Sequence, residues 1–259
     1  MFLDEVVKSC HINLLQPKSK LPLAYLVSRG VSLNEIKKYN IGYLGNIFSN
    51  VKEECEDSKL FNKWLGYKGK FVTNRIVFPI YDELGRIKGI ETRGLNREAI
   101  SVLKPKFKEN LKEEINKLPN SSVRYKKFYL QKYKFSAYFF GLPNCLEHVW
   151  KERTVFLTEG IFDAISVLKI KPNCVSSLTA NINKYQIDWL KRYADRIIVM
   201  YDTDKIGLKA FSKLEEELKK EKFLIWSITV KGDDVNDYEI KYGTKDLKFE
   251  IEEKLKLKY

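Results

Sequence analysis

Long apolar runs are missing from this 259-residue chain. No stretch approaches the ~20 apolar residues that a bilayer-spanning helix needs, so no membrane span is expected. The opening MFLDEVVKSCHINLL places Asp4 and Glu5 where a secretory leader is basic, and it has no small-residue cleavage pattern. No leader is expected there. Cysteine and histidine are also scarce, at four and two residues. Cys10, Cys55, Cys145 and Cys174 are scattered without a C-x-x-C pair. The nearest approach to a zinc set is Cys145 with His148 at helical spacing, joined from afar by Cys10 and His11. Without ligand spacing these read as free thiols in a reducing compartment, and no zinc is expected. The expectation is a cytoplasmic protein.

What is present fits a folded globular chain: 44% apolar and 31% charged residues, enough to bury a core. The net charge of +13 is unevenly spread. Residues 1–150 carry 26 Lys and Arg against 15 Asp and Glu, whereas residues 151–259 carry 21 against 19. A coding bias toward lysine would act on both parts. The asymmetry instead points to an N-terminal part that tracks a polyanion.

Periodicity divides the chain further. LPLAYLVSRG and SLNEIKKYN space apolar residues three and four apart; Gly30 ends the first helix, and Ser32 with Glu35 forms a capping box. NRIVFPIYD and GRIKGIETRGL are β-rich and join at Asp82–Gly85, a hairpin signal. Residues 98–120 are charged and helical in period, and read as an inserted surface helix. From Thr154 onward, apolar strands alternate with helices: TVFLT, IFDAISVLK, NCVSSL, NKYQIDWLKRY, RIIVMYD, LKAFSKLEEELKK and FLIWSITV. In the fourth, Ile187, Leu190 and Tyr193 or Ala194 form the apolar face; in the sixth, Leu208, Phe211 and Leu214–Leu218 do. Such repetition predicts a parallel sheet covered on both faces. The divisions expected are 1–150, 151–243 and a C-terminal helix over 244–259.

Acids gather just past three of these strands, where ligands bind in parallel sheets. Glu159 follows TVFLT, Asp202 and Asp204 follow RIIVMY, and Asp233, Asp234 and Asp237 follow FLIWSITV. Singly, each reads as a helix cap or a solvated loop residue. Three clusters on successive strand ends would repel one another unless a cation lay between them, and a hard divalent ion suits carboxylates.

The sequence also resembles a known family. TEGIFDAISVL resembles the E-G-x-x-D element of TOPRIM domains, VMYDTDKIGLKAF their D-x-D-x-x-G element, and KGDDVNDYE their third acidic element. Upstream, AYLVSRGVSLNEIKKYNIGYL, NRIVFPIYDELGRIKGIETRGL and RYKKFYL…AYFFGL resemble, in order, segments of the RNA-polymerase core of DnaG-type primases. The resemblance implies an α/β chain: a mixed α+β basic N-terminal subdomain followed by a parallel-sheet, Rossmann-like TOPRIM domain. It implies primer synthesis on single-stranded DNA from ribonucleoside triphosphates with Mg²⁺ or Mn²⁺, two ions, at Glu159, Asp202, Asp204 and Asp234. Asp163 and Asp237 would support them, Asp234 being preferred over Asp233 by motif register. Arg29, Arg93 and Lys127 match basic positions of the template and nucleotide groove.

The departures are specific. The family's amino-terminal zinc domain has no counterpart, and residues 98–120 are extra. A loop that usually carries Gly reads LTANIN, and a basic position falls on Phe135, with Lys134 beside it. A replicative helicase or a separate zinc-binding chain would be further partners, and the compact Lys- and Asn-rich form suggests a bacteriophage protein in its host's cytoplasm. Aromatics interleaved with lysines in RYKKFYLQKYKFSAYFF could stack on bases, though core positions suit them as well. Two other readings stay open: a TOPRIM nuclease, and a retired primase core serving as a DNA-binding or helicase-associated module.

Overall fold

The computed structural model describes residues 2–45, 55–65, 73–120, 125–129, 138–201, 205–231 and 234–257. It divides into two units, one of residues 1–80 with 87–134, the other of residues 81–86 with 135–259.

The first unit is built on a four-stranded sheet of spatial order β1-β2-β3-β4, formed by Gly42–Leu44, Arg75–Tyr81, Ile87–Gly94 and Tyr125–Tyr129. The pairs β1–β2 and β3–β4 are antiparallel. The expected hairpin joins β2 to β3: Asp82 Oδ1 accepts the backbone N–H groups of Leu84 and Arg86 at 3.0 and 2.9 Å. Gly85 there takes φ 74°, which an L side chain adopts only with strain. Helix α1 (Phe2–Leu14) covers one face. Its Leu3, Val6, Val7 and Cys10 pack with Leu44, Val77, Ile90 and Phe128, and with Phe61 and Leu65 of α4 (Glu56–Leu65). The approach of α1 to β1 leaves no room at Gly42, where a Cβ would lie 2.6 Å from Cys10 Cβ. The N-terminal helix and β1 had no counterpart in the sequence reading.

Helix α2 (Lys20–Ser28) ends as expected at Arg29 and Gly30, with Gly30 at φ 75°. Helix α3 (Leu33–Lys38) begins on the full Ser32–Glu35 capping box. Residues 98–120 form a 3-10 turn over Ala99–Val102 and two short helices, α5 (Pro105–Asn110) and α6 (Lys112–Asn116), broken at Leu111. The single helix expected there is therefore interrupted.

The second unit carries the parallel sheet. Strands β5 (Thr154–Thr158), β6 (Cys174–Ser176), β7 (Arg196–Met200) and β8 (Leu224–Ser227) lie in the order β6-β5-β7-β8, all parallel. Every residue of β5 is buried, as suits a central strand. Val155, Leu157, Val175, Ile197 and Val199 pack against α7 (Leu142–Glu152), α9 (Lys184–Tyr193) and α10 (Lys205–Lys220). Helix α8 (Ile161–Leu168) packs on β5 and β6, α11 (Val235–Tyr242) on α8, and α12 (Thr244–Lys256) on α11. Helix α7, placed within 1–150 by the charge division, thus contributes Leu142, Cys145 and Val149 to the second unit's core.

One expected core position is corrected. Leu208 is 54% exposed, so the buried side of α10 runs through Leu214 and Leu218. In α9 the expected face packs inward, with Leu190 and Ala194 in the core and Ile187 and Tyr193 against it, and Gln186 and Trp189 widen the buried side. Phe128, Phe139 and Phe140 are core residues; residues 130–137, including Lys134 and Phe135, lie outside those described. Among the described residues no helix is long and apolar enough to cross a membrane.

Candidate active site

Strand register sets the geometry of the acids. Thr158, the last residue of β5, pairs with Met200, the last of β7, and with Ser176, the last of β6. Glu159 therefore leaves the sheet level with Tyr201, one strand spacing (~4.8 Å) to the side. Asp202 and Asp204 follow Tyr201 directly in the chain. Both, with Asp233, lie outside the described residues, so their side chains are not placed. Among the described residues no group of three His, Cys, Asp or Glu is arranged to hold a metal ion.

Hydroxyl groups organise the strand ends around Glu159. Ser176 Oγ donates to the Glu159 carbonyl at 2.7 Å, and Thr158 Oγ1 to the Gly160 carbonyl at 3.2 Å. Ser177 Oγ donates to the Thr179 carbonyl at 2.7 Å and lies 3.1 Å from the Tyr201 hydroxyl. Tyr201 is 6% exposed. Burial pushes its hydroxyl pKa up, the Ser177 hydrogen bond pulls it back, and the Glu159 charge adds to the rise. The buried Gln186 amide donates to the Ser177 carbonyl at 3.1 Å. Leu178, in the loop where the family pattern has glycine, adopts φ 66°. The left-handed turn is thus present without the glycine, and its N–H is held by Ser176 Oγ at 3.1 Å. Ser177, Gln186 and Tyr201 had drawn no attention in the sequence; a polar run (SS) ending an apolar strand was the available signal.

The supporting acids act on helix ends. Asp163 Oδ1 accepts the Asn236 backbone N–H at 3.0 Å, and Asn236 Nδ2 donates to Ser166 Oγ at 3.0 Å. One turn on, Lys169 Nζ donates to both carboxylate oxygens of Glu239 at 2.8 and 2.9 Å. Positions 163, 166 and 169 lie on one side of α8, so this row clamps the start of α11. Asp163 also explains Gly160: a Cβ there would lie 2.5 Å from Asp163 Oδ2. Asp234 is the N-cap of α11, its Oδ1 accepting the Asp237 N–H at 2.6 Å. The capping role weighed for Asp234 is therefore observed; Asp237 supplies the capped amide.

In the first unit, Arg93 is buried at 6% exposure, and its Nε donates to the Tyr25 hydroxyl at 3.2 Å. Arg29 lies one turn beyond Tyr25, with its N–H bonded to the Tyr25 carbonyl, so both arginines gather on one side of α2. Arg75 bonds Thr92 twice across the sheet. Burial first, and Arg93 second, lower its pKa to about 10. Lys127 Nζ pairs with Glu91 at 3.2 Å. Glu91, buried beside two of the basic positions, was not singled out in the sequence.

Cys10, Cys145 and Cys174 are core groups, and Cys55 is exposed. Cys145 Sγ contacts the Leu142 carbonyl at 3.4 Å, and burial pushes its thiol up to about 12. His11 bonds through Nδ1 to the Ile41 carbonyl at 2.8 Å.

Two family descriptions match this chain: the N-terminal domain of the DNA primase catalytic core over residues 10–108, and a Toprim-like domain over residues 156–239. A DNA primase of Buchnera aphidicola subsp. Baizongia pistaciae is 29% identical over 205 residues, spanning 74% of this chain and 32% of the relative. The zinc-binding and RNA polymerase domains of the Aquifex aeolicus primase superpose with a TM-score of 0.74 at 22% identity, covering 97% of this chain and 59% of that one. A DnaG primase catalytic domain bound to single-stranded DNA gives 0.72 at 20% identity, covering 97% and 79%. At such identities these structures show the fold. The chain spans about a third of the length of the curated relatives it matches.

Proposed function

We propose that this chain, which belongs to the DnaG-type primase cores with a TOPRIM domain, makes RNA primers on single-stranded DNA at the carboxyl ends of β5 and β7. The observation that carries the reading is the pairing of Thr158 with Met200. It sets Glu159 beside the segment that continues into Asp202 and Asp204. The donor set is carboxylate oxygen throughout, which fits hard divalent ions such as Mg²⁺ or Mn²⁺.

In this reading Glu159, Asp202, Asp204 and Asp234 hold the ions, which when bound would polarise the primer hydroxyl and neutralise triphosphate charge. The chain's own residues do the positioning. The Tyr201–Ser177 bridge and the Ser176 hydrogen bond hold the backbone at Glu159. Asp163 holds the amide two residues past Asp234. Asp234 caps α11 through Oδ1, which fixes its carboxylate at the start of that helix. Arg29, Arg93 and Lys127 bind phosphates of template or nucleotide. The match to a primase catalytic domain bound to single-stranded DNA supports that template class.

The test is incorporation of labelled ribonucleotides on single-stranded DNA with Mg²⁺. The double variant Asp202→Ala, Asp204→Ala is expected to abolish incorporation while keeping DNA binding within a few-fold. Equal loss of folding or binding would sink the metal role. DNA nicking without nucleotides, in place of synthesis, would convert the reading to a nuclease.

A further inference from the structure

The proposed reaction leaves Glu91 unused. It stands directly opposite Lys127 in the antiparallel β3–β4 pair. Lys127 Nζ lies 3.2 Å from Glu91 Oε2, with the carboxylate side chain 5% exposed and the lysine 17%. The contact is one of charge more than of alignment, because Oε2 receives no donor in hydrogen-bonding geometry. Arg93, two residues further along β3, projects from the same face of the strand.

An acid at this place works against anion binding, and it is expensive. A neutral residue of similar size would pack there without desolvating a charge. Its one evident return is to hold the Lys127 ammonium where a phosphate oxygen would otherwise sit. The lysine keeps enough exposure for a ligand to reach it, whereas the carboxylate does not.

We propose that Glu91 is a built-in competitor for template phosphate: it engages Lys127 in the free protein and yields it to a backbone phosphate of single-stranded DNA. Glu91 thereby weakens and shallows the binding of DNA by the first unit. The inference rests on the reading of Lys127 as a groove lysine.

The test is fluorescence anisotropy of a labelled oligothymidylate with the full chain across a salt series. Glu91→Gln is expected to tighten binding roughly tenfold at low salt. It should also steepen the salt dependence by about 0.7 per phosphate gained. Lys127→Gln is expected to weaken binding, and adding Glu91→Gln to it should give no gain. Glu91→Asp, which withdraws the carboxylate by one methylene, should fall between the unaltered chain and Glu91→Gln, and serves if the glutamine variant does not fold. Unchanged or weaker binding by a folded Glu91 variant overturns the inference, as does a gain that persists without Lys127. Failure of the unaltered chain to bind the oligonucleotide overturns the functional reading as well.

Discussion

The hydroxyls of Tyr201 and Ser177 meet at 3.1 Å across the end of β5, the strand that delivers Glu159. Ser177 follows β6 and Tyr201 follows β7, so one hydrogen bond ties the two flanking strands over the central one. Either hydroxyl can give the proton of this bond, and Ser177 Oγ also lies within hydrogen-bonding distance of the Thr179 and Thr158 carbonyls.

Tyr201→Phe removes one partner of that hydrogen bond while keeping the ring in place. The expected cost is about 1 kcal/mol, a fall of a few degrees in melting temperature. Binding of Mn²⁺, read by calorimetry, should weaken several-fold, with affinity for single-stranded DNA unchanged. Unchanged ion binding would confine Tyr201 to a packing role.

The clamp between α8 and α11 should fail in two separable ways. Asp163→Ala leaves the Asn236 amide without its acceptor, costing about 1–3 kcal/mol. Glu239→Gln splits a pair whose side chains are 4% and 14% exposed, costing about 3 kcal/mol. Both should speed hydrogen exchange across Val235–Tyr242 and leave the first unit's exchange unaltered.

The structural role of Arg93 and the binding role proposed for it can be told apart. Arg93→Ala should lower the melting temperature and flatten the salt dependence of single-strand binding by about 0.7. Tyr25→Phe removes only the hydroxyl that receives Arg93 Nε, and should cost about 1 kcal/mol of stability without moving the slope. An unchanged slope in Arg93→Ala would take Arg93 out of the groove.

Burial holds the Glu91 carboxyl above its ordinary pKa, against the pull of Lys127. The folded chain therefore keeps this proton at a pH where the unfolded chain has lost it. Stability contributed here is present at acid pH and is lost as pH rises from the ordinary carboxylate range through the raised value. Glu91→Gln should remove that loss: its melting temperature should exceed that of the unaltered chain at mildly alkaline pH, and the two should converge below the ordinary carboxylate range. A constant difference across pH would contradict this.

Much of this architecture could be read in the residues beforehand, because its signals are local. The Ser32–Glu35 capping box, the Asp82–Gly85 turn and the apolar strands after Thr154 each declare themselves within a few positions. The same holds for Glu159, placed by the strand before it. Other features are set by tertiary partners. Gln186 and Trp189 widen the buried side of α9 beyond its apolar face, and Gln186 is polar by type yet buried because it bonds the Ser177 carbonyl. Leu208 looks like a core residue by spacing and is exposed. Glu91 gave no sign in one dimension, since its meaning comes from Lys127 on another strand. Asp234 was legible both as cap and as ligand; the hydrogen bond to Asp237 establishes the first, and the second is a proposal.

The spatial order β6-β5-β7-β8 also bears on folding. Strand β5 must accept β6 on one edge and β7 on the other, and β7 reaches it only after β6 and α9 have been made. Glu159 and Tyr201 thus become neighbours through a non-local pairing, which closes a long loop at an entropic cost. A partly synthesised chain that stops before β7 carries Glu159 without its companions. On the proposed reading, ion binding and phosphate chemistry would wait until the sheet is assembled, and the nascent polypeptide would stay chemically silent while it grows.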